Sequence, residues 1–230
     1  CVRRPAGFRG SAASGKEPSP PGSSGIIRIK HRIGPRRLAW RSPIVSNGGM
    51  EDATPSRTAL RVARLRALHQ FSAQAGLFRD PYAIAILGEA APAAEEIELE
   101  DEHSRRMRLF VAARARFAED WLAAAVRRGV RQVVVLGAGL DTFSLRNPHP
   151  GVAVFEVDHP ATQAWKRRLL ADAGLAEPAA TTFVPVNFER QGLSDELASA
   201  GLRMAEPSFF VWLGVVPYLT QEAIFGTLSY

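Results

Sequence analysis

The sequence predicts an α/β chain, a doubly wound parallel sheet preceded by an N-terminal helical cap. Four short runs, "RQVVVLGAG" (131–139), "VAVFEVD" (152–158), "TTFVPV" (181–186) and "SFFVWLG" (208–214), are apolar along their whole length rather than alternating. Such runs suit strands covered by helices on both faces of a parallel sheet. Helical segments lie between them, "PATQAWKRRLLADAG" (160–174), "SDELASAG" (194–201) and, after Thr220, "QEAIFGTLSY". Regular alternation of strand and helix is the pattern of a doubly wound sheet. Finally, the first run ends in Gly137 and Gly139, at the carboxyl end of a strand, where open α/β sheets bind their ligands.

Ahead of the sheet, "TPSRTALRVARLRALHQF" opens with a Thr54 cap followed by proline, a helix-start signal, and Leu60, Ala63, Ala67 and Leu68 recur at helical spacing. In "LFRDPYAIAILGE" the Asp80-Pro81 step breaks the chain and restarts a short helix ending near Gly88. The acidic "APAAEEIELEDEH" reads as loop and helix start. Residues 104–128 form a long helix with Met107, Phe110, Val111, Ala115, Phe117, Trp121, Leu122 and Ala125 on or near its apolar side, closed by Gly129. The chain thus divides into a basic tail (1–49), a helical region (50–130) and a sheet-forming domain (131–230).

Charge is unevenly spread along this plan. The 230 residues carry a net +6, but residues 1–49 hold ten Lys or Arg against Glu17 alone, leaving −3 on the other 181. Basicity therefore does not point the sheet-forming part toward nucleic acid or an anionic membrane, and neither is expected as a partner. Within the tail, "SAASGKEPSPPGSSG" has Pro, Gly and Ser in place of apolar periodicity, which predicts disorder. The chain opens on Cys1, and Met50 follows "SNGG" just before the first helical pattern, so Met50 is a candidate start. No stretch approaches the roughly 18 unbroken apolar residues that a membrane-spanning helix needs. One cysteine leaves no internal disulfide or Cys-based zinc cluster, which fits a reducing compartment, the cytoplasm being the expectation. The histidines lack ligand spacing, so no metal is expected.

A residue without Cβ lets the main chain turn tightly and lets a ligand lie against it. Asp158, nineteen residues beyond Gly139, stands at the separation where an acid of nucleotide-binding folds meets ribose hydroxyls. A dinucleotide turn reads G-x-G-x-x-G and faces a pyrophosphate, whereas here the sixth position is Thr142 and Asp141 places a negative charge beside that group. A nucleoside without phosphate is therefore favoured, and S-adenosylmethionine, with its cationic sulfonium and amino-acid tail, fits. An NAD-dependent oxidoreductase is the alternative, with Asp158 in the same role.

The same segments carry a family resemblance. "VVVLGAGLDT", "FEVDHP" with "WKRRLL", and "FVWLGVVPYLT", preceded by "SRTALRVARLRA" and "LFRDPYA", resemble the leucine carboxyl methyltransferase family from about Ser56 to the last residue. The nearest likeness is to its bacterial S-adenosylmethionine-dependent O-methyltransferases, which act on small molecules. The resemblance implies a Rossmann-like sheet in which Gly137, Ala138 and Gly139 lie against the methionine moiety and Asp158 holds the ribose. It implies an arginine for the cofactor's carboxylate on the helix before the first strand, matched by Arg114 with Arg116 as second choice, and a basic residue on the N-terminal helix, loosely matched by Arg66. The family's acid and apolar residue around adenine correspond to Asn187 and Phe188; the Asn side-chain oxygen can accept from the adenine amino group, and Phe can stack on the ring. Leu213 stands where eukaryotic members carry a glutamate, which speaks against methylation of a protein C-terminus. The implied fold continues past a fourth strand, so the chain is expected to be truncated, with an unpaired edge that favours association. A catalytically inactive fragment is thus a further alternative.

The implied reaction is methyl transfer to oxygen. A carboxylate acceptor is already ionised at neutral pH and needs no base. This accounts for the lack of an obvious catalytic dyad, so no catalytic residue is assigned and a small-molecule carboxylate is slightly favoured over a hydroxyl. Plainer roles compete. The glycines can be turn residues alone, Asp158 can cap the helix that begins at His159-Pro160, and Arg114 can be one surface charge of an arginine-rich helix. Asp141 and Arg146 are expected to pair with neighbours, and Tyr218 to border the substrate or to pack.

Overall fold

A computed structural model describes residues 56–229. The basic tail, Met50 and the Thr54-Pro55 cap lie outside the described residues. Four strands, β1 (Gln132–Leu136), β2 (Ala153–Asp158), β3 (Thr181–Pro185) and β4 (Ser208–Trp212), each fall within a predicted run and pair in parallel in the order β3-β2-β1-β4. The chain steps outward from β1 to β2 and β3, then crosses back to place β4 on the other side of β1. The strand order therefore reverses between β1 and β4, which makes their carboxyl ends the switch point.

Among the described residues six α-helices accompany the sheet: α1 (Arg57–His69), α2 (Glu102–Arg127), α3 (Phe143–Arg146), α4 (Pro160–Asp172), α5 (Leu193–Ser199) and α6 (Gln221–Leu228). Residues in register share a face. Val134, Leu136, Phe155, Val157 and Val184 pack on Leu193 and Leu197 of α5. On the opposite face Val133, Val135 and Val154 pack on Leu122 of α2 and Phe143 of α3. A third cluster joins Ala63 and Ala67 of α1 to Leu170 of α4 around Leu140, which fixes the N-terminal helix beside the turn after β1.

Several boundaries differ from the sequence expectation for physical reasons. The hydroxyl of Ser56 caps α1, accepting from the Ala59 N–H at 3.1 Å; serine is among the preferred cap residues. The short helix expected before Gly88 is a 3-10 turn, Ala85–Ala90, kinked at Gly88 where φ is +51°. Asp101 starts α2 two residues early by accepting from the Ser104 N–H at 2.7 Å.

The buried side of α2 is narrower than expected. Val111, Ala112, Ala115, Leu122 and Ala125 are buried, but Phe110, Phe117 and Trp121 are 58%, 64% and 53% exposed. These three fall at i, i+7 and i+11, one stripe turned away from the sheet. Arg108 takes an interior place instead, because Glu100 pairs with it at 2.8 Å and His69 Nδ1 lies 3.1 Å away. Among the described residues no helix is long and apolar enough to cross a membrane.

Candidate functional site

After Leu136 the chain turns through Gly137 (φ +63°) and Gly139 (φ +51°), left-handed conformations that glycine adopts without a Cβ penalty. The Ala138 N–H donates to the Val157 carbonyl at 3.1 Å, which stitches the turn to β2. Asp158, the last residue of β2, reaches across. Its Oδ2 accepts from the Gly139 N–H at 2.5 Å and its Oδ1 from the His159 N–H at 2.6 Å. Turn and acid therefore meet, and each carboxylate oxygen keeps capacity for a further donor. The cap of α4 is His159, whose Nδ1 accepts from the Ala161 N–H at 3.3 Å, so Asp158 is not spent on capping. Burial pushes the Asp158 carboxyl above the usual carboxylate range, against the two N–H bonds and the charge of Lys166.

The glycines serve packing as well. A Cβ on Gly137 would collide with Val215, in the segment after β4, and one on Gly139 would lie 3.0 Å from Ala59 Cβ on α1. The bare main chain expected to be kept for a ligand is thus already covered on its Cβ side by the protein.

Around the turn runs a buried polar network whose members lie far apart in the sequence. Asp141 Oδ2 accepts from Arg66 Nη1 at 2.8 Å, its Oδ1 from the Phe143 N–H at 2.7 Å, and its carbonyl from Lys166 Nζ at 2.5 Å. Arg66 Nη2 donates to Asp80 and, at 2.6 Å, to Thr142 Oγ1, whose hydroxyl in turn donates to Asp80 at 2.6 Å. Lys166 also pairs with Glu156 of β2, and Arg146 pairs with Glu119 at 2.6 Å. Burial by itself raises the Asp141 pKa, but Arg66, Arg146 and Lys166 outweigh it and hold that carboxyl below its usual range. Arg66 is likewise opposed by burial, yet Asp141 and Asp80 raise its pKa further. This corrects the loose match of Arg66 to a ligand-binding position, since its terminal nitrogens are sealed between protein acids. The signals in the sequence were an acid before proline, Asp80, and an acid inside an otherwise apolar strand run, Glu156.

Arg114 has the opposite surroundings. It is half-buried on α2, its guanidinium lies against Gly214 just past β4, and it stands 5.6 Å from the centre of the Phe110 ring. Among the described residues no carboxylate forms an ion pair with it. Burial, then repulsion from Arg66, lowers its pKa, against the attraction of Asp141. Arg116 points elsewhere and pairs with Asp120 at 2.8 Å on the exposed side of the helix.

Beyond β3 the Val186 N–H donates to the Asp158 carbonyl at 2.8 Å, which brings Asn187 and Phe188 beside the end of β2. Asn187 Oδ1 accepts from the Glu189 N–H at 3.0 Å, and Phe188 packs half-buried on the α5 side of the core. A narrow cavity between α2 and the ends of β1 and β4 is lined by Ala115, Val135, Asp141, Val211 and Leu213. A larger one of about 360 Å³, lined by Phe78, Arg79, Glu119, Phe143 and His149, includes neither turn glycine nor Asp158. Among the described residues no group of three or more His, Cys, Asp or Glu is placed to hold a metal ion.

Comparison with known proteins bears on this geometry. A Bacillus subtilis (strain 168) protein is 44% identical over 112 residues, covering 48% of this chain and 36% of its own length. A Streptomyces coelicolor protein is 38% identical over 174 residues (73% of this chain, 60% of its own), and a Frankia alni protein 36% identical over 189 residues (79% and 65%). Each bears the name "Putative S-adenosyl-L-methionine-dependent methyltransferase". The chain spans less than two thirds of the length of these relatives. Residues 59–230 match the family described as leucine carboxyl methyltransferase. Because that single stretch takes in most of α1, the glycine turn, Asp158 and β4, the chain belongs to the leucine carboxyl methyltransferase family.

Proposed function

We propose that this protein binds S-adenosylmethionine at the carboxyl ends of β1, β2 and β3 and transfers its methyl group to an oxygen of a small-molecule acceptor, a carboxylate ahead of a hydroxyl. The observation that carries the reading is the contact of the Asp158 carboxylate with the Gly139 N–H. It brings an acid and a glycine turn together at the carboxyl ends of the adjacent parallel strands β2 and β1, on one side of the switch point between β1 and β4. Family membership and the names of the relatives support it.

On this reading Gly137, Ala138 and Gly139 lie along the methionine moiety, Asp158 accepts from the ribose hydroxyls, and Asn187 and Phe188 flank adenine. Arg114 takes the amino-acid carboxylate. The residues present fit the group: Asp158 keeps lone pairs beside the turn, and Arg114 is a half-buried cation whose lowered pKa a carboxylate partner would relieve. The sixth position of the turn is Thr142 rather than glycine, which favours a nucleoside without phosphate over a dinucleotide.

The cofactor supplies an electrophilic methyl group on a sulfonium. The protein's task is to hold an acceptor oxygen in line with it, and such positioning supplies most of the rate. An acceptor carboxylate arrives ionised at neutral pH, so no side chain has to remove a proton. On this reading the helices expected within residues 54–128, of which α1 and α2 are described, build part of the acceptor pocket.

Isothermal titration of the 230-residue chain with S-adenosylmethionine and S-adenosylhomocysteine tests the cofactor; saturable binding of both is expected, and no heat from either counts against the reading. With a labelled methyl group and a panel of acids and phenols, mild alkali separates the acceptor classes. A methyl ester releases methanol and a methyl ether does not.

A further inference from the structure

Resting on the cofactor site just described, we propose that Arg66 and Asp80 are positioning residues: through Asp141 and Thr142 they hold the glycine turn in the shape that aims the Gly139 N–H at Asp158.

The turn needs such a hold. The β1 ladder ends at Leu136, and two of the next three residues are left-handed glycines, which gain more freedom on loosening than any other residue. The main chain there is tied to β2 through the Ala138 N–H on Val157 and the Gly139 N–H on Asp158. What fixes the following residues is side-chain chemistry from remote elements. Arg66, 75 residues before Asp141, grips its carboxylate, and Asp80, 62 residues before Thr142, accepts its hydroxyl.

The arrangement is a closed triangle. Arg66 presents one terminal nitrogen to Asp141 and the other to both Asp80 and Thr142, and the hydroxyl of Thr142 closes the ring onto Asp80. A planar guanidinium so engaged fixes the orientation of two consecutive residues at once, which a lysine does not do. Arg66 Nε is buried without a partner, so the grip lies wholly in the terminal nitrogens. The side chains of Arg66 and Asp80 are 5% and 0% exposed. Fold stability alone does not call for such a pair, because apolar residues of similar volume in place of a buried ion pair are often neutral or stabilising. What the pair provides here is geometry. Asp141 Oδ1 also accepts the Phe143 N–H, so one carboxylate ties the start of α3 to α1 across the turn. Neither Arg66 nor Asp80 is among the residues assigned to touch the cofactor; their effect reaches it through main chain.

The test uses the whole 230-residue chain, Asp80→Asn and Thr142→Val, with S-adenosylhomocysteine affinity read by titration and unliganded stability by thermal melting. Asp80→Asn keeps the size and removes the charge, and Thr142→Val keeps the shape and removes the hydroxyl. Affinity should weaken about 10-fold for Asp80→Asn and about 3-fold for Thr142→Val, the scale of charged and neutral hydrogen bonds, while Thr142→Val melts as cooperatively as the parent. In a double-mutant cycle with Asp158→Asn, the Thr142→Val loss should shrink, because both act on the aim of one N–H. A purely structural role lowers the melting temperature and leaves the two losses multiplicative. The inference is overturned if the parent binds and both variants bind within about twofold of it, or if the losses multiply. Should the parent itself not bind, the cofactor reading falls and this one with it.

Discussion

The two sides of the switch point are built differently. On the β1–β2 side every residue of β1 is buried, and the turn that follows is held by Asp158, Lys166 and the Arg66–Asp80 pair. On the β4 side all five strand residues are only half-buried, β4 has no partner on its outer edge among the described residues, and Tyr218 and Phe225 are each 56% exposed. Arg114 stands at this looser side with no carboxylate paired to it among the described residues, while Arg66 on the tighter side has two. The glycine turn beside Asp158 is thus set in advance by the protein's own charges, whereas the place proposed for the amino-acid carboxylate leaves a cation to be neutralised.

The sharpest way to break this contrast is at Asp158. Asp158→Ala should weaken S-adenosylhomocysteine about 100-fold or more, since charge-assisted hydrogen bonds contribute about 1.5–3 kcal/mol each. A titration in which this variant still binds like the parent would remove Asp158 from the site. Next comes Arg114→Met, expected to cost about 10-fold in affinity, a charged bond discounted for its half-exposure, with a fall in melting temperature no larger than loss of its contact with Phe110 gives, about 0.5–1 kcal/mol, because among the described residues no ion pair is lost. A lower melting point with unchanged affinity would make Arg114 a packing residue.

Acidification separates the two acids. Asp158 has a raised pKa in the fold, so it is protonated above the ordinary carboxylate value of about 3.9, and affinity carried by its ionised form falls there first. Asp141 has a lowered pKa, so its stabilising effect is present above about 3.9 and is lost only as pH falls through its still lower folded value. Titrations and urea melts from about pH 7 to about pH 4 should show affinity declining while the Asp141 contribution to stability persists. Coincident loss of the two would contradict the split. The smallest effect is expected on the exposed stripe of α2, where Phe117→Ser and Trp121→Ser should change unfolding free energy by no more than about 0.5 kcal/mol each.

Much of the fold was legible in advance. All four strands lie inside runs recognised by their apolar character, and for β1 and β2 burial on both faces is the reason that no polar alternation interrupts them. The pairing of the glycine turn with Asp158 followed from spacing, since consecutive parallel strands bring their carboxyl ends together. Less legible was α2. Its apolar residues spread around more of the helix than the sheet covers, and periodicity alone did not show that Phe110, Phe117 and Trp121 would face outward while Arg108 turned inward toward Glu100. The packing of Val215 and Ala59 against the turn was equally hidden, because it joins segments far apart in the chain.

By itself the sequence determined where strands and helices alternate and how far the acid of β2 lies from the glycines of β1, because both depend on local periodicity and chain length. Only the tertiary structure decided which arginine is sealed and which is left open. Arg66 finds acids 14 and 75 residues away, whereas Arg114 packs on Phe110 and Gly214; charge pairing depends on which remote segments converge, and no local pattern records that.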